Sequence, residues 1–118
     1  MSFKRFDKTS VRSKSPKVSF WKTGAISLNV AAVKAWNLEK YRCAILYFDA
    51  ETKRIGIQFT VKEEGFRLNE EKSGARWIHS KSFLRKCDLW WMAEQRIHLK
   101  AEWDDREKML VIRVPSEG

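Results

Sequence analysis

The sequence predicts an α+β fold in which two pseudo-repeated β-β-α-β-β units share one core, with a mostly antiparallel sheet and two short helices. Three observations predict it. Residues 26–59 and 78–114 carry the same patterning: a short apolar strand, a small helix and an alternating hairpin. Their hairpins correspond position by position. Phe48-Asp49 matches Trp103-Asp104, Lys53 matches Lys108, and Ile55, Ile57 and Phe59 match Leu110, Ile112 and Val114. With 118 residues in all, neither half can bury enough apolar area to stand alone, so the halves are expected to share a core.

The first unit covers residues 18–62. Residues 18–22 read as a strand, and Thr23-Gly24 as a tight turn into a second short strand, Ala25–Leu28. Asn29 then suits a helix N-cap, because its side-chain oxygen can accept an unpaired backbone N–H of the first turn. Ala32, Val33 and Trp36 fall on one helical face. A helix of about two turns is marginal by itself, so it needs a sheet beneath it, with Trp36 as anchor. Residues 42–48 form a nearly continuous apolar strand, and residues 49–53 a turn. Ile55, Ile57 and Phe59 alternate on the return strand, where Gly56 leaves room for a close neighbour.

Residues 63–65 connect the halves, and the second unit covers residues 66–114. Residues 66–69 and 75–79 read as strands about a Ser73-Gly74 turn. Ser80 or Ser82 is positioned to cap the next helix, whose buried face is Phe83, Leu84 and Cys87. Residues 96–103 alternate as one strand, with Ile97, Leu99, Ala101 and Trp103 inward and His98, Lys100 and Glu102 outward. Leu110, Ile112 and Val114 return inward. Ile26 and Ile78 align 52 positions apart but Phe48 and Trp103 align 55 apart, so the second unit needs three extra residues. They are placed in a loop at 89–94, and residues 115–118 are expected to fray.

Composition limits the function classes. No stretch reaches the ~18 apolar residues of a membrane span, and the basic N-terminus lacks the apolar run of a secretory signal. Two cysteines without Cys-x-x-Cys spacing exclude a disulfide framework, and a cytoplasmic setting fits best. The net charge is +9. A basic surface favours polyanions, because bound phosphates release counterions. Residues 1–22 hold seven cations against Asp7 alone, so they carry six of the nine net charges. Residues 1–17 have no helical or strand period and read as a flexible basic arm.

Catalytic chemistry finds little support. His79 and His98 are the two histidines, each in a strand segment and away from any zinc-like spacing. Cys43 and Cys87 lie in apolar segments, where thiols are usually inert. The carboxylate pairs Glu63-Glu64, Glu70-Glu71 and Asp104-Asp105 lie in or near turns and read as solvated. No phosphate-cradling glycine loop or nucleophile elbow occurs. No metal, cofactor or catalytic residue is therefore expected, and the chain reads as non-enzymatic.

The β-helix-hairpin of residues 26–59, repeated at 78–114, resembles the AbrB/MazE and MraZ type of swapped-hairpin module. Such modules belong to small transcription factors whose basic surface contacts DNA, and MraZ proteins carry two in one chain. The stretch Gly24-Ala25-Ile26-Ser27-Leu28 followed by Trp36 also resembles single-stranded DNA-binding proteins of the PC4 type. Neither resemblance carries a specific motif, so no individual binding residue transfers. Both imply the class that the charge implies: a DNA- or RNA-binding protein, either a transcriptional regulator or a single-strand binder, in a homodimer or higher oligomer.

Phosphate contacts are expected from Lys4, Arg5, Lys8, Arg12, Lys14 and Lys17 on the arm, extended by Lys22, Arg42, Lys53 and Arg54. Trp21 is a candidate for stacking on bases. Trp90, Trp91 and Met92 fall in the expanded segment and form a candidate partner interface. Two other readings stay open: an assembly module, phage- or mobile-element-related, that uses this aromatic surface, and a small enzyme built on scattered carboxylates.

Overall fold

The computed structural model describes residues 15–116. The arm cations Lys4, Arg5, Lys8, Arg12 and Lys14 lie outside the described residues, and Lys17 opens the first strand. Strands β1 (Lys17–Phe20) and β2 (Ala25–Leu28) form a hairpin, followed by helix α1 (Val30–Ala35) and a 3-10 turn at Leu38–Lys40. Strands β3 (Cys43–Asp49) and β4 (Arg54–Thr60) make the second hairpin. Then come β5 (Phe66–Glu70), β6 (Arg76–His79), α2 (Lys81–Lys86), α3 (Trp90–Glu94), β7 (His98–Lys100), β8 (Glu102–Asp104) and β9 (Met109–Arg113).

The fold is α+β, with every strand pair antiparallel and short helices between hairpins. The nine strands form one sheet in the order β7-β1-β2-β6-β5-β3-β4-β9-β8. Its first and last strands, β7 and β8, are joined through the single residue Ala101. The sheet thus nearly closes into a barrel. One arc is β7-β1-β2-β6-β5 and the other is β3-β4-β9-β8.

Strand order has a two-fold character, since exchanging β1–β4 with β5–β9 reproduces the same ring. The halves are nonetheless not clean copies of a β-β-α-β-β unit. Three α-helices occur among the described residues rather than two, and residues 96–103 are not one strand. The expected loop at 89–94 contains α3, whose Met92 and Ala93 are fully buried. The strand breaks at Ala101 because its two parts serve different neighbours: Leu99 pairs with Val18 of β1, and Trp103 with Leu110 of β9.

The core fills the ring. Val18, Phe20, Ile26 and Leu28 meet Ile55, Ile57, Ile78, Leu110 and Ile112 there, all fully buried. Inward and outward positions follow the period of two expected of strands covered on one face. Ala32, Val33, Leu84, Met92 and Ala93 add the helices to the same cluster. Trp36 stacks on Trp103 with ring centres 6.5 Å apart. Among the described residues no helix is long and apolar enough to cross a membrane.

Local chemistry explains the elements. Asn29 Oδ1 accepts from the Ala32 amide at 2.9 Å, the expected N-cap bond, and also from the Lys17 amide at 3.0 Å. Asp49 Oδ1 accepts from the amides of Glu51 and Thr52, which closes the β3–β4 turn. Hydrogen bonding from Thr52, side chain first and backbone next, holds the Asp49 carboxyl below its usual range. At Gly56 an added Cβ would come within 2.9 Å of Met109 Sδ, so the glycine does admit a close neighbour.

Ser80 precedes α2 but makes no side-chain cap. Its hydroxyl instead donates to the Gly24 carbonyl at 3.1 Å, alongside its own amide at 2.9 Å. The α2 start is thereby pinned to the β1–β2 turn. Ser80 is fully buried, so Ser80→Ala is expected to lower stability by about 1 kcal/mol. Urea unfolding reads this directly; an unchanged midpoint would mean the bond contributes nothing net.

Candidate nucleic-acid interface

Outward-pointing positions of five strands meet on the first arc. The antiparallel registers place His98 opposite Ser19, Ser19 opposite Ser27, Ser27 opposite Trp77, and Trp77 opposite Asn69. One lateral row therefore runs His98, Ser19, Ser27, Trp77, Asn69 across the sheet. Ala25 opposite His79 belongs to the next row, and the Trp21 amide donates to the Ala25 carbonyl at 3.0 Å. The face carries two tryptophans and both histidines of the chain.

Trp21 is held in place on this face. Its indole Nε1 donates to Ser27 Oγ at 2.8 Å. The ring meets His98 edge-on at 5.8 Å, and His98 Nδ1 shares a 2.6 Å hydrogen bond with Ser19 Oγ. Trp21 is still 40% exposed. Phe20 points inward and is fully buried, which turns Trp21 outward. Trp21 and Trp77 line an open slot of about 340 Å³ with the small residues Ala25 and Ser27. Thr23, His79 and Glu71 complete its wall. Both indoles offer apolar surface to the slot, and the Trp21 ring, already ordered by Ser27 and His98, loses little freedom on contacting a ligand there.

Cations surround this face. Lys17 lies directly opposite Lys100 on β1 and β7. Like charges facing each other across strands repel, and a bound anion relieves that repulsion. Lys22 is exposed in the β1–β2 turn and Arg67 on β5.

The other sequence-predicted cations lie elsewhere. Arg42 pairs with Glu63 at 3.4 Å and lines a cleft of about 520 Å³ in which Glu39, Glu63, Glu64 and Glu70 outnumber Arg42, Arg67 and Arg76. Such an acidic setting repels phosphate. Lys53 and Arg54 sit at the β3–β4 turn on the other arc; Arg54 Nε donates to Thr52 Oγ1 at 2.9 Å. Arg76, which follows the β5–β6 turn, is buried against Glu70 at 3.1 Å and donates to the Gly74 carbonyl at 2.8 Å. Of the described phosphate candidates, Lys17 and Lys22 share the arc of Trp21, whereas Arg42, Lys53 and Arg54 do not.

The proposed partner interface also changes. Met92 is fully buried and offers a partner nothing. Trp90 is half-buried under two cations, Lys81 Nζ at 5.8 Å and Arg85 Cζ at 5.0 Å from the ring centre. Trp91 is half-buried beside an open groove of about 850 Å³ shared with Phe48, Leu89 and Val114.

Burial pushes the Cys87 thiol up, which disfavours the nucleophilic thiolate. Among the described residues no group of three or more His, Cys, Asp or Glu could hold a metal ion.

Sequence reasoning missed Trp77, His79, His98, Ser19 and Ser27 as members of one site. Their available signal was shared strand parity, with Ser19 and Trp21 alternating, and Trp77 and His79 alternating. Comparison with protein-family models, curated proteins and solved structures finds no match to this chain.

Proposed function

We propose that this chain is a non-enzymatic nucleic-acid-binding protein that takes single strands on the outer face of the β7-β1-β2-β6-β5 arc. The slot between Trp21 and Trp77 carries this reading. Unpaired bases expose π-faces that stack on aromatic side chains, whereas the bases of a duplex are already stacked on each other. Lys17, Lys22 and Lys100 supply the charge along the backbone path. The arm cations add to it and position the chain without reading sequence. The resemblance to PC4-type proteins agrees with a single-strand preference, and the resemblance to AbrB/MazE/MraZ modules agrees with a regulatory role.

Fluorescence anisotropy with labelled single-stranded DNA, duplex DNA and RNA, at three salt concentrations, tests this. Single strands are expected to bind more tightly than the duplex of equal length. Their affinity should fall with salt at a slope of about 0.7 per phosphate contacted. Equal or tighter binding of the duplex would remove the stacking reading. No binding of any of the three at low salt would remove nucleic acid as the partner.

A further inference from the structure

We infer that a strand seated in the Trp21–Trp77 slot continues over the β1–β2 turn onto α2, where Lys81 and Arg85 take its phosphates; this rests on the single-strand reading above. The observation behind it is the joint between Gly24 and α2. Gly24 has φ +90°, and a Cβ there would lie 2.7 Å from Lys81 Cβ. The Gly24 carbonyl also accepts both Ser80 bonds. The Gly24 amide in turn donates to the Trp21 carbonyl at 2.8 Å. Trp21, the turn and the first residue of α2 are therefore contiguous.

The chemistry of α2 suits a phosphate path. Its sequence, Lys-Ser-Phe-Leu-Arg-Lys, holds three cations and no acid. Lys81 and Arg85 are four residues apart, so they share one helical face, and both are exposed. Both lie over the Trp90 ring, which orders two long side chains before any ligand arrives. Among the described residues the ion pairs are Arg42–Glu63 and Arg76–Glu70, and neither engages these cations. A planar, five-donor guanidinium at Arg85 matches phosphate oxygens in two-point geometry. Lys22 is exposed on the intervening turn.

Length dependence tests the inference. The probes are a thymidine dinucleotide, which reaches the slot alone, and an oligothymidylate of about sixteen nucleotides, the upper site size for such surfaces. With the longer probe, Lys81→Gln/Arg85→Gln is expected to reduce the salt slope by roughly 1.4, at about 0.7 for each single-strand phosphate contact. The dinucleotide should shift the indole N–H resonances of Trp21 and Trp77 equally in the native protein and the variant. The control Lys53→Gln/Arg106→Gln, at hairpin turns of the other arc, should leave the slope unchanged. An unchanged slope for the α2 variant overturns the inference, and so does an equal fall in the control, which would indicate net charge alone. Persistent Trp21 and Trp77 shifts in either case leave the slot reading standing. Absence of those shifts with both probes in the native protein overturns both readings.

Discussion

Alanine at both Trp21 and Trp77 is expected to weaken single-strand binding by about 2–6 kcal/mol, taking about 1–3 kcal/mol for each lost stacking surface. At about 1.4 kcal/mol per factor of ten, that is a loss from roughly thirtyfold to more than ten-thousandfold. The fold should survive, because Trp21 is 40% exposed and Trp77 points out of the ring opposite Ser27 and Asn69. Circular dichroism and the urea midpoint check that. Trp21→Phe keeps a stacking face but loses the indole donor to Ser27, so it should retain much of the affinity. Native-like affinity in the double alanine variant would show that bases do not enter the slot.

Alanine at Gly65 is expected to cost about 3 kcal/mol or more of folding stability. Gly65 has φ +78°, where an L-residue pays roughly 1–2 kcal/mol. A Cβ there would also lie 2.5 Å from the Ala44 carbonyl oxygen and 3.2 Å from its carbon. Both are backbone atoms, so relief requires moving a strand, and overpacking of this kind adds about 1–3 kcal/mol. The strand in question is β3, whose Ala44 pairs with Phe66 at the seam between the two arcs. Gly74→Ala separates the two contributions. Gly74 has φ +98° but open space around it, the nearest atom being Val30 Cγ2 at 3.9 Å. It should lose only the dihedral part. Equal urea midpoints for the two variants would mean that the Ala44 contact is relieved without cost.

Much of this architecture is legible in the sequence because it is written in local periodicity. The hairpins about residues 49–53 and 104–108 follow from alternating apolar side chains, and α1 follows from Asn29 and the Ala32-Val33 face. The helix α3 has only five residues, too few to show a helical period, so Trp90-Trp91-Met92 reads as a loop. The break at Ala101 is silent because alternation runs straight through it. Closure of the sheet is silent for another reason: the pairing of β1 with β7 joins residues about 80 positions apart, and no local pattern records it. The site suffers most from this. Alternation turns Trp21 and Trp77 outward and Arg76 inward, yet only the strand order sets His98 beside Trp21.

The joint at Ala101 also has a temporal consequence. Ser19 waits 79 residues for His98, and Trp21 gains its edge-on neighbour only then. Pairings of such long sequence separation form late, because the chain loses the entropy of a large loop before any contact rewards it. A growing chain can complete the first hairpins early, but its first strand keeps an open edge until residues near the C-terminus arrive. The His98 side of this outer face is thus completed only once β7 has docked on β1. Refolding should proceed on the slow, millisecond-to-second side of small domains, with the environment of Trp21 changing in the final phase.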